Sequence, residues 1–124
     1  MEYSHYQVRL ENMMATIRKD IIATLLKLPD SKISVTIEDL EYMARADFVD
    51  YICAIDSAAL EPFRIQLRRI DAALCQYEIG LYGMCSDCEE PIEKQRLEID
   101  PCTQRCEKCE AKHQAKKRQD LFAL

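Results

Sequence analysis

Five cysteines fall within residues 85–109, and four of them form two Cys-x2-Cys pairs, Cys85 with Cys88 and Cys106 with Cys109, separated by seventeen residues. Two residues between cysteines let one tight turn aim both sulfurs at a single point, and the intervening stretch is long enough to bring the second pair back to it. The spacing therefore predicts one structural Zn²⁺ held tetrahedrally by Cys85, Cys88, Cys106 and Cys109. Cys102 lies four residues before Cys106 and His113 four after Cys109. Either could replace one ligand, but the symmetry of the two pairs favours neither. Cys53 and Cys75 sit beside helical seam positions and are expected to be small buried residues.

Other uses of these thiols fit less well. The opening stretch MEYSHYQVRLENMM lacks the basic start and apolar run of a signal peptide, and no apolar run approaches the roughly 18 residues of a membrane span. A cytoplasmic location without membrane association is expected. Thiols stay reduced there, so seven cysteines, an odd number, do not suggest a disulfide framework. Thioredoxin-like chemistry needs a βαβ context that is missing. Nor is an enzyme expected: His5 and His113 lie at opposite ends, no carboxylate pair is flanked by a base or nucleophile, and four thiolates leave zinc no open position.

Only 2 glycines and 4 prolines in 124 residues favour helix over sheet. Apolar residues at Tyr6, Leu10, Met14, Ile17, Ile21, Leu25 and Leu28 step by threes and fours, which puts one stripe along a first helix. The period stops at Pro29, and Thr36 with Asp39 predicts a variant capping box for a second helix. A second series runs from Ile37 to Leu81 and keeps helical phase across Pro62, so one long helix is expected, kinked or broken near residues 58–61. Two such seams joined by a short turn predict an antiparallel coiled-coil hairpin, with a small three-helix bundle as the alternative. The expected architecture is mainly α: a hairpin over residues 1–80, then a zinc-finger module with a short C-terminal helix over residues 81–124. A monomer is expected.

Net charge is −5, from 17 Lys and Arg against 22 Asp and Glu, which argues against a protein that neutralises many phosphates. The charge is segregated. Residues 38–61 carry seven acids against Arg45 alone, whereas the stretch from Ala111 carries Lys112, Lys116, Lys117 and Arg118 against Asp120.

Tyr82-Gly83, Cys85-Ser86-Asp87-Cys88, Glu90-Pro91-Ile92, Arg96-Leu97-Glu98, Pro101 and Arg105-Cys106-Glu107-Lys108-Cys109 together resemble the zinc finger of the DksA/TraR family of bacterial RNA polymerase-binding regulators. The resemblance implies a transcription regulator that enters the polymerase secondary channel without reading DNA sequence, its zinc module at the rim and the acidic tip of its hairpin directed inward. Asp39, Ala44 and Asp47 are the tip residues it implies. Three positions depart from the family pattern. Glu89 stands where a glycine usually follows the second cysteine at a backbone position suited to positive φ. Tyr42 replaces a tip acid. Asp100 and Glu110 stand where members that respond to guanosine tetraphosphate carry basic residues, although Arg69 is retained, so weak or no direct response to that nucleotide is expected. Alternative functions are a zinc-dependent nucleic-acid-binding module using the basic end, and a thiol redox sensor using Cys102.

Overall fold

Arginines end the helices of the N-terminal part where the sequence holds no helix breaker. A computed structural model describes residues 3–28 and 35–122. The chain is mainly helical: α1 (Ser4–Leu26), α2 (Ile37–Tyr42), α3 (Arg45–Ala54), a 3-10 turn (Ala58–Leu60), α4 (Glu61–Glu78), α5 (Lys94–Ile99) and α6 (Glu107–Phe122). Among the described residues the nearest approach to a strand is one antiparallel bridge between Met84 and Pro91. The turn expected from Pro29 falls mostly on residues 29–34, outside the described residues.

The long helix expected over residues 37–81, kinked or broken near residues 58–61, is three helices, with one break beside that place and a second, unexpected one at Met43 and Ala44. Met43 and Ala44 are extended, with ψ of 143° and 147°, and Ile55 and Ser57 are extended as well. The last turn of a helix leaves carbonyls without intrahelical partners, and a cation near that end is favourable. Arg18 of α1 supplies both at the end of α2: its Nη1 donates to Leu40 O (2.8 Å) and Met43 O (2.9 Å), and its guanidinium lies 4.4 Å from the centroid of the Phe48 ring. Arg64 of α4 does the same after α3, donating to Ile55 O and reaching Ser57 O at 3.5 Å. Periodicity reports which face of a segment is apolar and is silent about such caps from elsewhere in the fold. Pro62 falls in the first turn of α4, where its missing N–H costs nothing.

The capping box is present as expected: the Asp39 N–H donates to Thr36 Oγ1 (3.0 Å) and the Thr36 N–H to Asp39 Oδ2 (3.2 Å). At the other end of the bundle, Gly80 adopts φ 79° and closes α4 with paired bonds, Gly80 N–H to Tyr77 O and Leu81 N–H to Gln76 O, the αL ending that favours glycine.

The antiparallel pairing survives as α1 against α4. Asn12, Thr16 and Asp20 face Pro62, Gln66 and Ile70 across one groove, while Tyr6 meets Tyr82 beyond the end of α4. All the expected α1 seam residues from Tyr6 to Leu25 are buried. Helices α2 and α3 lie against this pair rather than extending it, and Leu40, Phe48 and Ile52 complete a core with Leu10, Ile21 and Leu67. Arg45 fixes α3 to the second half of α4 by ion pairs with Asp71 (2.8 Å) and Glu78. None of the described helices is long and apolar enough to cross a membrane.

Arg18→Met should destabilise the chain by about 2 kcal/mol through two lost charge-assisted hydrogen bonds and a lost cation–π contact, with Arg18→Lys intermediate. Chemical denaturation of the three proteins checks this. An unchanged midpoint in Arg18→Met would mean that α2 does not end on Arg18.

Candidate metal centre

The first knuckle is a tight turn. Cys85 N–H donates to Glu90 O (2.8 Å), Glu89 N–H to Cys85 O (3.0 Å), and Ile92 N–H to Gly83 O (2.8 Å), so the chain doubles back within eight residues. That path requires positive φ twice. Gly83 supplies it at 85°, beneath a Tyr3 ring that a Cβ would meet at 2.8 Å, and Glu89 supplies it at 62°, the positive-φ residue other than glycine among the described residues. The position where a glycine was to be expected does adopt the conformation that favours one. Holding Glu89 there costs about 1–2 kcal/mol of local strain.

The second knuckle is the start of α6, with Cys106 O accepting from Glu110 N–H (2.9 Å) and Cys109 buried in the first turn. The Glu93 carboxylate caps this helix by accepting from Glu107 N–H at 3.2 and 3.3 Å. Two bonds clamp the knuckles together: Ser86 N–H to Gln104 O (2.8 Å) and Arg105 Nε to Asp87 Oδ2 (3.0 Å).

The sulfurs of Cys85, Cys88, Cys106 and Cys109 consequently lie within 4.8 Å of one another. Cys88 and Cys106 are 3.8 Å apart, the edge length of a tetrahedron with Zn–S bonds of about 2.3 Å. Proton affinity in the cluster is split. Burial works to raise the Cys85 thiol, but backbone N–H groups of Cys88, Cys106 and Asp87 outweigh it and bring it down to about 6. Cys109 is pushed up to about 12, chiefly by its bond with Cys106 and by burial. Four thiols this close cannot all ionise on their own; a dication among them makes that favourable. Donor number, donor type and spacing fit one structural Zn²⁺ with a closed shell.

The other candidate ligands stand apart. Cys102 is buried, its N–H donating to Asp100 Oδ1 (2.9 Å), and its thiol is pushed up to about 11 by burial and by Asp100. His113 lies on α6 outside the cluster. Cys53 is half-buried, whereas Cys75 is exposed, contrary to expectation, with its Sγ 3.6 Å from Arg45 Nη2.

Residues 80–115 match the prokaryotic dksA/traR C4-type zinc finger family. This segment is similar to the DksA/TraR-type zinc finger. The match covers the two knuckles and the first half of α6, and α1 to α4 lie outside it. An uncharacterized protein of Aquifex aeolicus (strain VF5) is 49% identical over 43 residues, which cover 35% of this chain and 30% of that protein. The chain thus matches less than a third of that relative's length. No solved structure matches significantly.

The finger is docked on the helices. Tyr6 OH donates to Glu98 Oε1 (2.5 Å), Arg9 Nη1 to Glu98 O (3.0 Å), and Tyr82 OH to Pro101 O (2.7 Å), beneath a cluster of Tyr3, Tyr6, Tyr77 and Tyr82 rings with centroids 5.5 to 6.2 Å apart. Beside the finger a cavity of about 410 Å³ is lined by Arg68, Arg69, Arg96 and Arg105 together with Asp100 and Glu110. Asp100 pairs with Arg69 at 2.5 Å, and Glu110 lies 3.9 Å from Arg105. Residues read singly in the sequence as departures thus share one pocket, where the acids meet the retained arginine and Arg105. Sequence reasoning named Arg96 and Arg105 only as parts of the finger's motif and did not name Arg68, because three arginines scattered over nearly forty residues carry no signal that they line one pocket.

Asp39, Ala44 and Asp47 are brought together around one concavity of about 460 Å³ with Glu38, Tyr42 and Met43. Its place differs from the expected hairpin tip. Arg18 ties the end of α2 to the middle of α1, and Arg45 ties the start of α3 to the second half of α4, so the acids lie on the flank of the helix pair.

Cys85→Ser or Cys109→Ser should abolish a zinc content of one per chain and unfold the finger, because in small zinc modules binding supplies on the order of 10 kcal/mol of folding free energy. Metal analysis and thermal melts of both variants check this. Glu89→Gly should act in the opposite sense, raising stability by about 1 kcal/mol as the αL strain is relieved; an unchanged or lower melting temperature would show that Glu89 makes a compensating contact.

Proposed function

We propose that this chain is a transcription regulator that binds RNA polymerase at its secondary channel, with residues 1–80 as the helical part and residues 81–124 as the zinc module. The observation that carries this reading is the DksA/TraR-type finger, held by four thiolates in a closed shell and set directly behind an antiparallel helix pair. A zinc site with no open position suits scaffolding and leaves the action to binding surfaces. In this reading the zinc module rests at the channel rim, and the acidic flank formed by Asp39, Ala44, Asp47 and their neighbours is the surface that faces the enzyme. An acidic surface suits a protein partner better than duplex DNA, so no sequence-specific DNA contact is proposed.

Guanosine tetraphosphate is not proposed as an effector. The cavity beside the finger already holds Asp100 against Arg69 and Glu110 near Arg105, so an incoming polyanion would meet two carboxylates and break existing pairs. Redox sensing through Cys102 finds little support either, since a buried thiol with a raised proton affinity is a poor nucleophile.

The test is co-sedimentation of the zinc-loaded chain with core RNA polymerase in the absence of DNA, followed by addition of a competitor known to occupy the secondary channel. Displacement is expected, and a complex indifferent to the competitor would refute the placement. Asp47→Asn is the suitable flank variant, because Asp39 also caps α2 and its loss would mix a stability change of about 1 kcal/mol into the result. Asp47→Asn should alter transcription output in vitro while guanosine tetraphosphate has no added effect.

A further inference from the structure

Helix α6 is anchored by Cys109 and then leaves the body of the protein. From Lys112 onward its described side chains are exposed, except for half-buried His113, and it makes no extended packing with α1 to α5. A helix of 16 residues, polar on all sides, gains almost nothing from burial and is marginal in water by itself. Its free part is cationic, with Lys112, Lys116, Lys117 and Arg118 against Asp120, and none of these four cations has an ion-pair partner among the described residues.

The flank of α2 and α3 has the opposite character. Its concavity, about 460 Å³, has a wall of Met43 and Tyr42, the latter 80% exposed, and Glu38 and Asp47 on its rim. Glu41 and Asp50 extend the acidic surface. Glu38, Glu41, Asp47 and Asp50 are exposed and have no ion-pair partner among the described residues. The spacing matches as well as the sign: Glu38 with Glu41, Asp47 with Asp50, and Lys112 with Lys116 each stand one helical turn apart. Leu121, 72% exposed on the last turn of α6, is an apolar side chain of a size to meet the Tyr42 and Met43 wall.

We propose that α6 of one copy of this chain docks along the acidic α2–α3 flank of a second copy. The contact is heterologous, one surface against a different one, so it replaces the expected monomer with a concentration-dependent association held mainly by charge. Its consequence for function rests on the reading above: the associated form covers the flank assigned to polymerase, so self-association and polymerase binding exclude each other.

The association is tested without polymerase. Analytical ultracentrifugation of the zinc-loaded, nuclease-treated chain at low salt should give a weight-average mass that rises above 14.4 kDa with concentration and returns to it at about 1 M salt, where screening acts within about 3 Å. Lys112→Glu/Lys116→Glu/Lys117→Glu should weaken association about tenfold or more, and so should Glu38→Lys/Glu41→Lys/Asp47→Lys, each with unchanged zinc content and helix content. An equimolar mixture of the two reversed variants should associate again, because the acidic α6 of one then meets the basic flank of the other. That rescue cannot come from misfolding. A wild-type mass of 14.4 kDa at every concentration, or failure of the mixture to associate, would overturn the proposal. So would a wild type that stays monomeric but binds a labelled oligonucleotide through the α6 lysines, which would make the helix a phosphate-binding arm. Polymerase competition shares no component with these measurements except the chain, so either idea can fail alone.

Discussion

Four sulfur atoms within 4.8 Å of one another set the constraint on which the C-terminal third of this protein depends. At about 4 Å, each pair of thiolates repels by roughly 4 kcal/mol at an effective dielectric near 20, so all four sulfurs can be ionised together only with a cation among them. Bringing the sulfurs there requires the reversal of residues 83–92, and that reversal requires positive φ at Glu89, an acidic residue in a conformation that favours glycine. The binding free energy of the metal is what makes such local strain tolerable. The same convergence orients Glu98 and Pro101, to which Tyr6, Arg9 and Tyr82 bind, so the order imposed by zinc passes into α1.

In the helical part the corresponding role belongs to arginine. Arg18 and Arg64 each reach from one helix to carbonyls at the end of another, and Arg45 in the first turn of α3 ties that turn to Asp71 and Glu78 of α4. A long guanidinium stem can cover apolar surface and still deliver several donors to neighbouring acceptors, which makes it suited to ending a helix from outside. The result is a second layer, α2 and α3, folded against the α1–α4 pair. The acidic segment thereby becomes a flank with its own concavity.

Charge in this chain is distributed to separate surfaces rather than mixed. Glu38, Glu41, Asp47 and Asp50 of α2 and α3 are exposed with no ion-pair partner among the described residues, and so are Lys112, Lys116, Lys117 and Arg118 of α6, while Arg69 and Arg105 beside the finger are met by Asp100 and Glu110. Surfaces of opposite sign on one molecule make ionic strength a control on any contact they form.

By itself the sequence determined the zinc ligands, the stripe of α1 and the Thr36–Asp39 cap, and the resemblance of its finger marked out the backbone position of Glu89. The first three are short-range rules: two residues between cysteines, three or four between apolar positions, three between the members of a capping box. Only the tertiary structure decided that the apolar phase of residues 37–81 belongs to three helices, that Asp100 and Arg69 share a pocket, that Cys75 is exposed, and where Asp39, Ala44 and Asp47 lie. The physical reason is the same each time. Helical phase is preserved by any break that keeps the apolar face inward, and the side chains that make these breaks stable, Arg18 and Arg64, act across 22 to 25 residues in one case and 7 to 9 in the other, separations at which no local period connects donor to acceptor.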